Sequence, residues 1–392
     1  MNIFEKEKAL FLQVYNRLPL KIKKGEGCWL ITENGEKYLD FFSGLAVNAL
    51  GYAHPKIVEA VCRQVSLYAH LSNNYIVEPQ IELAELLIKY SGMSKVFLTN
   101  SGTEAIEAAI KLVRYVKGPN KIIYSLTSSF HGRTYGALSL TTREKYQKGF
   151  EPLLQNVDRI KHNSIDDLLN KIDENTAAVF LEFIQGEGGI NEANENFIAE
   201  LFRLREKYKF IIVADAIQDG IGRTGKPFAH QYYNVMPDMI ATAKAIGGGL
   251  PLGALLVSSD YENVWTIGKH GTTFGGNPVS CVAGIVVLRE VFENGLMENV
   301  IELGAYFKEQ LIKLKNIYQS EIKDVRGLGF MLGVELNYEG NDFVKKMFEK
   351  KILTNCANQN VIRILPPLIA NKNEIDIYLQ AFEETIKELK KN

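Results

Sequence analysis

FIIVADAIQDGIGRTGKPF, residues 210–228, and ATAKAIGGGLPLG, residues 241–253, decide how this chain folds. The apolar run Phe210–Ala214 reads as a buried strand, and it ends in an acid, Asp215. In the second stretch Lys244 stands just ahead of Gly247, Gly248 and Gly249, glycines that let backbone or ligand approach closely. Ligands of open α/β sheets sit at the carboxyl ends of the strands. An acid at one such end, followed by a glycine-flanked lysine, marks where chemistry is expected.

The rest of the chain supports such a sheet. Helical periodicity appears at 56–69, 78–91, 103–117 and 195–208. Between these lie β-rich runs at Lys95–Thr99, Lys121–Ser125, Ala177–Phe183, Phe210–Asp215 and Ala254–Ser258. The alternation predicts an α/β domain on a mainly parallel sheet flanked by helices. Upstream, Leu20–Ile31 and Lys37–Phe42 flank Glu33-Asn34-Gly35, a tight-turn signal that predicts a β-hairpin over residues 20–42. Past residue 290 the pattern becomes helix 295–315, β-rich 322–336, helix 341–350, short strands over 352–364 and helix 372–390. That predicts a smaller α+β domain with the N-terminal hairpin packed on it. The expected division is 1–54, 55–290 and 291–392.

Composition excludes several classes of function. Across 392 residues, 45 Lys+Arg balance 46 Asp+Glu, so no net field gathers nucleic acid or an anionic membrane. The four cysteines (Cys28, Cys62, Cys281, Cys356) are widely spaced and form no CxxC pair. A zinc site or disulfide framework is not expected, and no metal is. The N-terminus has no signal-type apolar stretch, and no segment reaches the roughly 18 apolar residues of a membrane helix. A cytoplasmic protein is the expectation.

Three strand ends carry groups that suit pyridoxal phosphate. After Val96–Thr99 come Ser101, Gly102 and Thr103 at a helix start, where free amides and the helix dipole cradle phosphate. The same stretch fits an ordinary capping box of Ser101 and Glu104. After Lys121–Ser125 comes Ser129-Phe130-His131-Gly132-Arg133-Thr134. Phe130 suits stacking on a pyridine ring, and Arg133 suits a substrate carboxylate, although alone they read as core and surface. After Phe210–Ala214, continued extension turns Asp215 and Ile217 to one side, the acid toward the ring nitrogen and Ile217 toward the other ring face. Gln218 is then within reach of the ring's phenolic oxygen. An isolated strand-end Asp more often caps a turn. Lys244 suits a Schiff base with the cofactor aldehyde, and Asp215 keeps the pyridine nitrogen protonated.

These residues lie within longer segments: FFSGLAVNALGYAHP (41–55), NSGTEAIEAA (100–109), SFHGRT (129–134), LEFIQGEGGI (181–190), HGTTFGGNP (270–278) and VIRILPPL (361–368). Together with 213–225 and 243–254, they make the chain resemble the class III (ornithine-type) aminotransferases of PLP fold type I, and among them the acetylornithine branch. The resemblance implies Lys244 as the Schiff-base lysine and Asp215 as partner of the pyridine nitrogen. Gly102 and Thr103 would hold the phosphate, with Thr273 supplied by the neighbouring subunit of an obligate homodimer. Phe130 and Ile217 would sandwich the ring. Tyr15 and Arg133 would meet the distal carboxylate of the amino donor. Arg363 would bind the α-carboxylate of glutamate or 2-oxoglutarate, with Glu187 neutralising it while the other substrate reacts.

The sequence departs from this family at Ala216, where an acid is usual, and at Asp219, where Thr or Ser is usual. Alternation turns residue 216 away from the ring, and Asp219 is expected to restore the missing charge nearby. Phe183 replaces a usual proline and is expected to serve packing. His131 and Leu45-Ala46-Val47-Asn48 lean toward an acylornithine donor. N-succinylornithine, ornithine and 4-aminobutyrate remain as rival donors, and a PLP-binding dimer without turnover as a rival of another class.

Overall fold

The computed structural model describes residues 2–390. Its first strands are β1 (Ile22–Glu26), β2 (Trp29–Thr32) and β3 (Lys37–Asp40), paired antiparallel in that order. The expected hairpin is therefore a three-stranded meander: Leu20–Ile31 is cut in two, because the chain folds back at Gly27-Cys28 and Gly27 pairs with Tyr52 instead. The Asn34-Gly35 turn between β2 and β3 forms as predicted.

The main sheet takes β4 (Lys95–Thr99), β5 (Ile122–Leu126), β6 (Val157–Ile160) and β7 (Thr176–Leu181). A two-residue pair follows, β8 (Ile184–Gln185) with β9 (Asn191–Glu192), and then β10 (Ile211–Asp215), β11 (Met239–Thr242) and β12 (Gly253–Val257) complete the main sheet. Its order is β4-β12-β11-β10-β7-β5-β6, with only β12 running against its neighbours. This is the mainly parallel α/β sheet that the alternation predicts. Helices Pro55–Leu67, Glu78–Ser91, Gly102–Lys117 and Glu195–Tyr208 lie within two residues of their expected bounds.

Alternation along β10 explains why its sequence is apolar throughout. Ile211 and Val213 pack into one core cluster, on the side of helix Gly102–Lys117, while Ile212 and Ala214 pack into the other. Both faces are buried, so every position is apolar until the strand emerges at Asp215. Several elements escape the sequence reading, among them β6, β11 and helix Pro278–Glu293. β11 is only four residues long, and helix Pro278–Glu293 is too uniformly apolar to show a polar face, with nine of its sixteen residues buried.

Beyond that helix, Leu296–Ile317 leads to β13 (Ile322–Leu328) and β14 (Met331–Leu336), then helix Asn341–Glu349, β15 (Ile352–Leu353), β16 (Asn355–Ala357), β17 (Val361–Ile364) and helix Lys372–Leu389. Four of these strands form the sheet β13-β14-β17-β16. β15 instead pairs parallel with β3, which ties the N-terminal meander to the C-terminal part. Phe41, fully buried, stacks on Tyr378 at 5.1 Å and meets Phe307 edge-on at 6.0 Å, so the tie is packed as well as hydrogen-bonded.

Candidate active site

The carboxyl ends of β4, β5, β7, β10 and β11 open onto one cavity of about 480 Å³. Ser101, Gly102, Thr103, Phe130, Arg133, Glu187, Asp215, Ile217, Gln218 and Lys244 all line it, which brings together most of the residues singled out from sequence. Tyr15 and Thr273 stand elsewhere. Tyr15 is 71% exposed, with the Arg17 guanidinium 5.5 Å over its ring. Thr273 lines a separate hollow with His70, Asn73 and Gln80. Neither is carried to the cavity by its own chain.

Lys244 opens a short 3-10 turn directly after β11 and takes a left-handed φ of 51°. Burial first, and then the positive charge of Arg363, push its amine down to about 8, against the pull of Glu187 and Asp215. A lysine so placed is partly neutral near physiological pH, as a nucleophile needs.

Asp215 sits at the last position of β10 and is 4% exposed. Its Oδ1 accepts the Ile217 amide at 3.1 Å, so the strand-end acid does cap the turn, and this bends Ile217 back beside it. Its Oδ2 lies 2.7 Å from His131 Nδ1. His131 is 2% exposed, lines the cavity and meets the acid directly. Burial disfavours the charged imidazole, but the bond to Asp215 outweighs it and holds His131 above its ordinary range.

At the head of helix Gly102–Lys117, Ser101 Oγ accepts the Glu104 amide at 3.3 Å. Glu104 in turn accepts the Asn100 amide at 2.8 Å, one residue earlier than a full capping box requires. The cap uses the Glu104 amide, and Gly102 and Thr103 at the helix start line the cavity. A Cβ on Gly102 would lie 2.6 Å from Ile217 Cδ1, so only glycine fits between this helix and the turn after β10. Arg133 rests its guanidinium 3.9 Å over the Tyr146 ring, beside Phe130.

Arg363 comes from the middle of β17 and is 1% exposed. Its Nη1 donates to Glu187 Oε1 at 2.7 Å and to Gln218 Oε1 at 3.2 Å, while Nε donates to Asn355 Oδ1 at 3.2 Å. Burial alone would raise Glu187, but the charge and hydrogen bond of Arg363 hold it below the ordinary carboxylate range. Gln218, expected at a phenolic oxygen, thus also meets the arginine.

Two acids need separate comment. Asp219 is 2% exposed and accepts the Ile184 amide at 3.2 Å; it does not line the cavity. Burial, with Asp215 and Glu182 adding to it, drives its carboxyl well above the ordinary range. Ala216 itself packs in the core cluster opposite Ile217, as alternation predicts. Phe183 serves packing, 5.3 Å from the Tyr233 ring. The residue that sequence reasoning passed over is Glu182, which lines the cavity one position beyond β7. Its signal was present: like Asp215, it is an acid closing a fully apolar strand.

A ring-bearing, phosphorylated aldehyde fits this donor set. Helix-start amides would suit its phosphate end, the buried Asp215 its ring nitrogen, Phe130 and Ile217 its faces, and Lys244 its aldehyde.

Comparison with known proteins gives the same picture. The family model for class-III aminotransferases matches residues 12–386. An acetylornithine aminotransferase from Aquifex aeolicus (strain VF5) is 47% identical over 95% of this chain and 98% of its own. One from Methanocaldococcus jannaschii is 42% identical, covering 100% of this chain and 99% of its own. Among solved structures, the ornithine aminotransferase of Toxoplasma gondii ME49 superimposes with a TM-score of 0.95 at 28% identity, over 99% of this chain and 95% of that one. A family match over nearly the whole length and a cavity built to suit it lead to one conclusion: this chain belongs to the class-III aminotransferases.

Proposed function

We propose that this enzyme transfers the terminal amine of N-acetylornithine, or of a close acylornithine, to 2-oxoglutarate, a step of arginine biosynthesis. The observation that carries the reading is the buried Arg363–Glu187 pair at 2.7 Å. An acylornithine presents its reacting amine on a carbon without a carboxylate. Glutamate presents the amine beside one. Arg363 suits the second substrate, and buried without a counter-charge it would penalise the first. Glu187 supplies that counter-charge and must release Arg363 when a carboxylate arrives. The names and identities of the acetylornithine aminotransferases, against 28% for the ornithine aminotransferase, favour the acylated donor.

The enzyme is pyridoxal-5′-phosphate dependent. The bound cofactor supplies an electron sink that lets the bond between hydrogen and the amine-bearing carbon break. In our reading Gly102 and Thr103 hold the phosphate, while Phe130 and Ile217 hold the ring. Asp215, steadied by His131, keeps the ring nitrogen protonated. Lys244 would hold the aldehyde end, and its amine would carry the proton as general acid–base. Arg133 receives the distal carboxylate of the donor, with Tyr15 as its expected partner.

A homodimer completes the site in this account. Leu67, Ile76, Ile267 and Phe274 are large apolar side chains left exposed, near in sequence to the residues that line the Thr273 hollow, which suits a second copy carrying Thr273 to the phosphate. Among the described residues no helix is long and apolar enough to cross a membrane. We place the enzyme in the cytoplasm.

Glu187→Ala is expected to slow the half-reaction with the acylated amine more than the half-reaction with glutamate, because only the first needs Arg363 neutralised. Stopped-flow absorbance of each half-reaction measures the ratio, and equal losses would count against the switch. Cofactor capture by the cofactor-free enzyme is expected to accelerate as pH rises, with a half-point near 8. The sign follows from the amine: below that pH Lys244 is protonated and cannot attack the aldehyde, above it the neutral form dominates. A rate that is flat from pH 7 to 9 would contradict the placement of Lys244.

A further inference from the structure

β5 and β7 are neighbours in the main sheet, so the loops leaving their carboxyl ends meet. Glu182 stands at that meeting point and is 5% exposed. Its Oε1 accepts the Phe130 amide at 3.0 Å, and its Oε2 accepts the Gly186 amide at 2.9 Å. The two amides belong to different parts of the cavity. Phe130 carries the ring-stacking face, and Gly186 immediately precedes Glu187, the partner of Arg363. Gly186 is also confined from its other side: a Cβ there would lie 2.3 Å from Gln218 Oε1, the oxygen that accepts from Arg363.

We infer that Glu182 is a positioning residue whose two carboxylate oxygens fix the ring-stacking Phe130 and the Glu187 gate in one frame. The inference rests on the functional reading given above. A carboxylate is the group required, because each amide needs its own acceptor oxygen. Glutamine offers one oxygen and would set its NH2 against the other N–H. A buried acid with Asp215 close by costs stability, so packing alone does not account for it. Its two bonds both end on segments of the site, which does.

The test is Glu182→Gln in the holoenzyme, read by visible circular dichroism per mole of bound cofactor and by the two half-reactions. Thermal stability is expected to hold while the dichroism falls. Both half-reactions should slow about tenfold, the scale of one misplaced hydrogen bond. Wild-type dichroism, with rates that follow only the folded fraction, would overturn the inference. Should Glu182→Gln fail to fold, Glu182→Asp keeps the charge and draws the oxygens back by one methylene. The same readouts then decide in the same sense. If the wild-type enzyme reacts with neither amine nor glutamate, the functional reading falls, while the dichroism, which needs only bound cofactor, still decides the clamp.

Discussion

Lys244→Ala is expected to abolish turnover while leaving the fold intact, through two separate losses. The first is the covalent anchor. Lys244 is the cavity-lining lysine that follows β11, and its amine, pushed down to about 8, is suited to attack an aldehyde near neutral pH. The second is the proton carrier, since a positioned general acid–base contributes about 10²–10⁴ in rate. Alanine supplies neither function. The fold should tolerate the change, because truncation removes a partly buried cation whose burial is itself unfavourable. Borohydride trapping followed by peptide mass analysis checks the anchor, and steady-state assay checks the turnover. Retention of either one overturns the assignment.

The second large effect is expected at Asp215. Asp215→Asn keeps the shape and an oxygen able to accept the Ile217 amide, so the turn after β10 should survive. What it loses is the carboxylate that would meet the ring nitrogen, together with the charge that His131 meets at 2.7 Å. A ring nitrogen without that carboxylate no longer stays protonated and accepts electrons poorly. Removing one preorganised electrostatic partner costs on the order of 10²–10³ in kcat. The loss should appear in both half-reactions equally, because both use the same ring. A variant that loses only one half-reaction would place Asp215 at a substrate instead.

Some of this was legible in the sequence and some was not, for a physical reason. Asp215 and Lys244 announce themselves locally: an apolar strand buried on both faces ends in an acid, and a lysine sits against glycines. Ser101–Thr103 is legible in the same way, as a helix start. Glu187 and Arg363 are 176 positions apart and meet only because β17 brings its arginine to the end of the main sheet. No local pattern predicts that contact, and it entered through family resemblance. The Phe130–Glu182 bond depends on the pairing of β5 with β7, and the His131–Asp215 bond on the position of β10 next to β7. Both spans are 52 positions or more, so periodicity cannot see them. Asp219 illustrates another limit: its letter suggested a charge beside the ring, while the fold buries it away from the cavity lining.

The most direct test of the account is a single half-reaction. The yellow holoenzyme is mixed with N-acetylornithine and no oxo acid, and its visible absorption is followed. The account predicts that N-acetylornithine bleaches the band and that 2-oxoglutarate restores it, while ornithine and 4-aminobutyrate act more slowly. A band left unchanged by N-acetylornithine and by N-succinylornithine alike would contradict it.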